Sequence, residues 1–278
     1  MKQQGHGLGA VLGRLRRGSR AQANPPLQRG LAHLAAGRHA EAIAELTAAL
    51  ARDPDDAPAL HARARAYIAT GRPAEALADL DRAIALAPER PEAYRTRGLL
   101  RRKLGRADDA LADLDRAVDL APGDPAALQD RAMTHRLAGR FDAAIADYAR
   151  ALALAPGDPD IHHARGICFR KIGDEAAAVA DLSAALDRNP RDAYAYYNRG
   201  LALLALDRAA EAIPDFARTV EFNPVYAEGH YHLALAHAAR GDCAAALPPL
   251  RRAIELDPAL RDRARGEARL ARCLEGEG

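Results

Sequence analysis

Seven prolines, Pro54, Pro88, Pro122, Pro156, Pro190, Pro224 and Pro258, follow one another at intervals of 34 residues. A fixed period of this length points to a stacked array, in which each supersecondary unit buries its apolar face against its neighbours. With each proline at position 32 of a unit, the units run 23–56, 57–90, 91–124, 125–158, 159–192, 193–226 and 227–260. Residues 1–22 and 261–278 are left as tails.

The unit's interior reads as two helices. Position 8 is always small, being Gly30, Ala64, Gly98, Ala132, Gly166, Gly200 and Ala234, as a point where two helix backbones nearly touch requires. Position 20 is alanine in all seven units, and positions 21, 24 and 28 carry larger apolar residues such as Leu77, Leu80 and Ile84. These spacings make one face of a helix. Position 15 is Gly37, Gly71, Gly105, Gly139, Gly173, Asp207 and Gly241, suited to the left-handed residue that closes a helix. Asp124-Pro125 and Asp158-Pro159 set an N-capping aspartate before a first-turn proline, and Asn24-Pro25 is read the same way. Bulky side chains are too scarce for one thick core, with 4% aromatics and no Trp, whereas abundant alanine suits closely packed helices.

This pattern resembles the tetratricopeptide repeat, whose unit has an aromatic near position 4, Leu-Gly at 7 and 8, Tyr at 11, Ala at 20, Phe or Tyr at 24 and Pro at 32. The resemblance spans residues 23–260, and aromatics fill the motif only in places, with Tyr94 and Tyr196 at position 4 and Tyr67 and Phe169 at 11. It implies an all-α fold, a right-handed superhelical solenoid of seven helix-turn-helix repeats with residues 261–278 forming a C-terminal cap helix and tail. It also implies a protein-interaction scaffold and not an enzyme. Some members of the family clamp a C-terminal carboxylate with Lys and Asn at set positions, but only Asn198 falls on one of them, so that clamp is not expected.

Position 7 departs from the motif. It is Arg29, Arg63, Arg97, Arg131, Arg165 and Arg199, with leucine only at Leu233, while position 23 is Glu45, Asp79, Asp113, Asp147, Asp181, Asp215 and then Pro249. Arginine and acid vanish together in the seventh unit, which favours a forked pair across each helix hairpin. The alternative pairs the acid with an arginine three residues on, such as Arg82 or Arg116.

In the proteins this sequence resembles, first-helix positions 2, 5, 9, 12 and 13 line a concave groove. Here they supply His61, Arg65, Arg95, Arg102, Lys103, Arg136, His163, Arg170 and Lys171 in the middle units, then Tyr194, Tyr197 and Tyr231, with Asn198 beside them. A basic middle and an aromatic end suit a protein or peptide partner that is acidic and carries a hydrophobic anchor. A second reading makes the charges at positions 12 and 13 mere helix-end caps, which leaves Arg65 and Arg95 as the better ligand contacts. A nucleic acid or other polyanion is the alternative partner for the basic groove.

Other chemistry finds little footing. His162-His163 and His230-Tyr231-His232 are adjacent or alternate on a helix, whereas metal ligands want i and i+4, so no metal and no cofactor is expected. The three cysteines, Cys168, Cys243 and Cys273, are odd in number and never a C-x-x-C pair, which reads as reduced thiols in a cytoplasmic protein. No apolar run is long enough for a membrane span. Residues 1–22 read as a basic, glycine-rich, disordered arm, or as a short amphipathic helix over residues 8–20 touching an acidic membrane surface or a partner.

Overall fold

A computed structural model of the chain describes residues 24–275. Every regular element among them is a helix, and the chain divides into two compact units at Pro122 and Gly123. The N-terminal arm and its amphipathic stretch lie outside the described residues. No described helix is long and apolar enough to cross a membrane.

The first unit holds three helix hairpins: α1 (Pro25–Ala35) with α2 (His39–Arg52), α3 (Ala57–Ala69) with α4 (Pro73–Leu86), and α5 (Pro91–Lys103) with α6 (Ala107–Leu120). The second holds four: α7 (Pro125–Leu137) with α8 (Phe141–Leu154), α9 (Pro159–Ile172) with α10 (Glu175–Arg188), α11 (Ala193–Ala205) with α12 (Ala209–Phe222), and α13 (Ala227–Ala239) with α14 (Cys243–Leu256). Two short helices follow, α15 (Leu260–Gly266) and α16 (Ala268–Glu275), where a single cap helix is expected from sequence. Within each unit the second helix of one hairpin packs against the first helix of the next.

Each hairpin crosses at its small residue. A Cβ added to Gly98 would lie 2.9 Å from Leu114 Cγ and 3.1 Å from the Ala110 carbonyl; one on Gly166 would lie 2.8 Å from Leu182 Cγ. At Gly200 it would meet the Phe216 ring at 2.8 Å. Residue 8 of the unit thus presses on residue 24, and Leu80, Leu114, Tyr148, Leu182 and Phe216 are fully buried there. The turn between the two helices is equally regular. Gly37, Gly71, Gly105, Gly139, Gly173 and Gly241 all have positive φ, and Asp207 takes the same conformation at φ 57°. The next residue's N–H reaches five residues back, as from Arg72 to the Tyr67 carbonyl at 2.9 Å, which satisfies an otherwise orphaned helix-end acceptor.

Asp56, Asp124, Asp158 and Asp192 cap the first helices by accepting backbone N–H bonds. Asn24 does not: its side chain makes no cap bond at α1, and Pro25 at the first helical position sets the start of that helix by its fixed φ. Asp174 and Asp242 cap α10 and α14.

All six arginines at position 7 fork onto the acid at position 23 of the same hairpin. Arg63 Nε and Nη2 donate to Asp79 at 2.8 Å each. Arg97 holds Asp113 at 2.9 and 2.6 Å, Arg131 holds Asp147 at 2.7 and 2.6 Å, Arg165 holds Asp181 at 2.6 and 2.7 Å, and Arg199 holds Asp215 at 2.8 and 2.7 Å. Arg29 and Glu45 make the same fork in an exposed setting. The five aspartates are buried, so each needs the fork it receives, to which Arg101 adds a third bond on Asp113 and His162 one on Asp181. The alternative pairing is secondary: Arg82 bonds Asp55 instead, while Arg150 lies 3.7 Å from Asp147.

The remaining guanidinium nitrogen reaches the preceding hairpin. Arg63 Nη1 donates to Thr47 at 3.1 Å, Arg97 Nη1 to Asp81 at 2.6 Å and Arg199 Nη1 to Ser183 at 3.0 Å, always at position 25 of the unit before. The arginine is therefore a clip between hairpins as well as within one.

The seventh hairpin lacks this clip and is held by the end of the chain. Cys243 and Cys273 form a disulfide across 30 residues, which corrects the expectation of three free thiols; only Cys168 is free, and it is buried. Spacing hid the pair because the fold of α15 and α16 back onto α13 and α14 brings the two sulfurs together. Disulfides persist in oxidising surroundings, so the cysteines give no ground for a cytosolic setting. Arg263 adds an ion pair to Glu228 at 2.7 Å and lies over the Tyr231 ring at 4.4 Å.

Three outcomes check this account. Gly98→Leu should cost about 1–3 kcal/mol or more in a thermal or denaturant melt, while Ala146→Leu, on an exposed face, should change stability by less than about 0.5 kcal/mol. Arg97→Ala, which leaves the buried Asp113 carboxylate to Arg101 alone, should cost about 1.5–3 kcal/mol; Arg116→Ala, on the outer face, should be nearly silent. Cys273→Ser should remove about 3–4 kcal/mol from the last hairpin, seen as faster hydrogen exchange confined to α13 to α16.

Candidate functional site

The first helices of each unit supply the side chains left over from packing. In the first unit these are on α3 and α5. His61 is half-buried and its Nε2–H donates to Thr96 Oγ1 at 2.8 Å, since the Thr96 hydroxyl hydrogen is already given to the Glu92 carbonyl. Burial holds the His61 imidazole down at about 4, with the Arg65 charge adding to the effect, so at neutral pH it is an uncharged strut between the two helices. Arg65 and Lys103 are exposed, and Arg95 and Arg102 are half-buried on α5. A shallow hollow beside them is lined by Ala57, His61, Arg90 and Glu92, with no room for an organic ligand.

The second unit is richer. Along α7, α9, α11 and α13, which neighbour one another in that order, lie Arg136, His163, Arg170, Tyr197, Asn198 and His232. Three tyrosines come together at one end. Tyr197 and Tyr226 pack edge to face at 5.1 Å between centroids, and Tyr194 packs against Tyr226 in the same way at 5.8 Å. Tyr194 remains 54% exposed, so the group presents an aromatic face outward. His232 closes the group from below, 5.4 Å from the Tyr197 ring, its Nδ1–H donating to the Glu228 carbonyl at 2.8 Å. Burial pushes the Tyr197 and Tyr226 phenols up and the His232 imidazole down, which keeps all three neutral at physiological pH.

Next to the tyrosines the face is cationic. The Arg170 charge weakly opposes the upward shift of Tyr197 and adds weakly to the downward shift of His232, so its field reaches both. Arg136, one repeat earlier, lies along Met133 with Nη2 2.8 Å from its sulfur, and its charge acts on the buried Cys168 thiol, which burial pushes up to about 11. His163 bonds Asp192 at 3.0 Å, and this bond, the largest influence on Asp192, holds that carboxyl below its usual range. His163 thereby ties α9 to the capping residue of α11. Lys171 is exposed in the last turn of α9, as the helix-cap reading of such charges has it. Asn198 turns its amide to the Tyr194 carbonyl at 2.8 Å.

Tyr231 is in a different place from the one its position suggests. It is only 2% exposed, in the core beneath Arg263, because the returning chain end covers the first helix of the last hairpin. In its place stands Tyr226, which sequence reasoning passed over because position 34 is not a groove position. A signal was available: position 34 is Asp56, Asp124, Asp158 and Asp192 in four units, a capping residue, and a tyrosine in that series has exchanged a cap for an aromatic surface. The paired histidines are also engaged within the fold, His162 with Asp181 at 3.0 Å and His230 with the Pro224 carbonyl at 3.0 Å.

Family models described as tetratricopeptide repeat match residues 27–91, 163–224 and 214–261, and others of that description match 63–133 and 125–168. No curated protein matches the chain in sequence. Among solved structures it is similar to YrrB, described as a tetratricopeptide repeat protein with an unusual peptide-binding site, at 22% identity and TM-score 0.60 over 71% of this chain and 97% of that one. It is also similar to a tetratricopeptide repeat protein from Parabacteroides merdae, at 17% identity and TM-score 0.61 over 84% of this chain and 92% of the other. MamA from Desulfovibrio magneticus is similar over 61% of this chain and 96% of its own, at 23% identity and TM-score 0.58. The helix pairs that cross at their small residues are thus the same units that the family models match in sequence, and the chain belongs to the tetratricopeptide repeat family.

Proposed function

We propose that the protein is a non-catalytic scaffold that binds an extended segment of another protein on the first-helix face of its second unit. Tyr194, Tyr197 and Tyr226 receive an apolar or aromatic side chain of the partner, and the cationic stretch beside them meets its polar part. The observation that carries this reading is the tyrosine group itself. Tyr194, 54% exposed, packs edge to face on the half-buried Tyr226, which packs in the same way on the half-buried Tyr197, so the group holds its shape and little order is lost when a partner covers it. The likeness to YrrB supports the fold that presents such a face, and the peptide site named for that protein makes the same use of this fold reasonable.

The test is selection of binders from a displayed random-peptide library, followed by affinity measurement of the enriched peptides. Tyr194→Ala with Tyr226→Ala should weaken them by about 30-fold, as loss of an aromatic hot spot does, chiefly through faster dissociation. Arg82→Ala with Arg116→Ala, on second helices, should leave affinity unchanged. Equal binding to wild type and the tyrosine variant would overturn the reading, and so would a library that yields no binders.

A further inference from the structure

Half-buried arginines in this protein generally hold a carboxylate: Arg63, Arg97, Arg101, Arg131, Arg165 and Arg199 each bond an aspartate at 2.6–2.9 Å. Arg136 and Arg170 are half-buried too, yet neither has an ion pair among the described residues. In both, the Nε–H is buried without an acceptor, as it is in Arg101 too; what sets Arg136 and Arg170 apart is that no carboxylate among the described residues meets their terminal nitrogens, whereas Arg101 Nη1 holds Asp113. A half-buried guanidinium whose terminal nitrogens meet no carboxylate is poised to receive one from a partner through charge-assisted bonds. Glu175, on which the Arg170 charge acts, does not supply one: burial pushes the Glu175 carboxyl up, Arg170 only partly opposes that shift, and the buried Oε2 has no hydrogen-bond partner.

The two arginines occupy the same position of successive repeats, 34 residues apart, and the tyrosine group follows in the repeat after Arg170. We infer that Arg136 and Arg170 are a specificity device for aspartate or glutamate side chains of the bound segment, so that the partner is an acidic peptide with an apolar anchor in a fixed order. This deepens, and rests on, the peptide-binding reading above. Helices packed roughly 10 Å apart set the spacing, which an extended chain covers in about three residues. The ligand pattern is therefore two acidic residues about three apart and an apolar residue about three beyond the second. The helix dipole favours a cation in the last turn whether it is exposed or not, so it leaves the burial of these two arginines unexplained. Lys171 and Lys103, both exposed, are the residues it does explain.

The experiment pans one displayed random-peptide library over wild type, over the pair Arg136→Ala with Arg170→Ala, and over the pair Arg136→Lys with Arg170→Lys. Wild type should enrich acidic residues at least about twofold over the library, spaced as stated. The alanine pair should still enrich apolar anchors but lose the acidic ones, and should bind the wild-type peptides about tenfold or more weakly with a flatter salt dependence. The lysine pair keeps the charge and should retain acidic enrichment while losing part of the affinity, which separates a binding role from a folding defect. A wild-type pool rich in apolar anchors but not in acids overturns this inference and leaves the scaffold reading standing. Equal acidic enrichment by wild type and the alanine pair overturns it as well. No enriched pool from wild type overturns both.

Discussion

The close crossing of two helices at one small residue is the constraint on which the remaining structure depends. Where Gly98 meets Leu114 or Gly166 meets Leu182 an added Cβ would crowd the facing leucine, and no crossing carries anything larger than Ala64, Ala132 or Ala234, so the hairpin angle is set by keeping this position small. Once that angle is set, the apolar residues of the second helix face both their own hairpin and the next one, and the stack can grow one unit at a time. The left-handed turn serves the same crossing, reversing the chain within a few residues while returning a hydrogen bond to the helix it closes.

The forked arginine pairs add specificity to this packing. A buried aspartate alone would be strongly unfavourable, and a guanidinium held by two bonds satisfies it in only one orientation. Because the third nitrogen of Arg63, Arg97 and Arg199 also reaches the hairpin before, the pair fixes register between repeats as well as within them. The seventh hairpin has Leu233 and Pro249 in these places and is secured differently, by a disulfide and by Arg263 gripping Glu228. Covering the last hairpin in this way buries Tyr231 and removes it from the surface available to a partner.

What the packing does not use defines the candidate site. In a repeat array, residues facing neither their own partner helix nor the next unit are free to vary without harm to the fold, so departures from the repeat among them carry functional information. The second unit concentrates such departures, with tyrosines at positions that elsewhere hold capping or polar residues and arginines that have no aspartate to hold. The first unit's corresponding residues are spent differently, as His61 shows by bracing α3 against α5 through Thr96.

The sequence by itself determined the repeat, its length, most helix ends and the crossing point, and it favoured the arginine–aspartate pairing over the alternative along one helix. Each of these is local or recurs every 34 residues, so that seven copies could be compared within one chain. Only the tertiary structure decided what happens once and at a distance. The meeting of Cys243 with Cys273 depends on a chain reversal with no repeat to compare it with. The burial of Tyr231 and the appearance of Tyr226 in its place depend on which neighbour lies above each ring, a relation that position within the repeat does not encode. The same holds for Arg136 and Arg170. Helix-end position made them look like capping charges, and only their burial, a property of the surrounding packing, distinguishes them from Lys103 and Lys171.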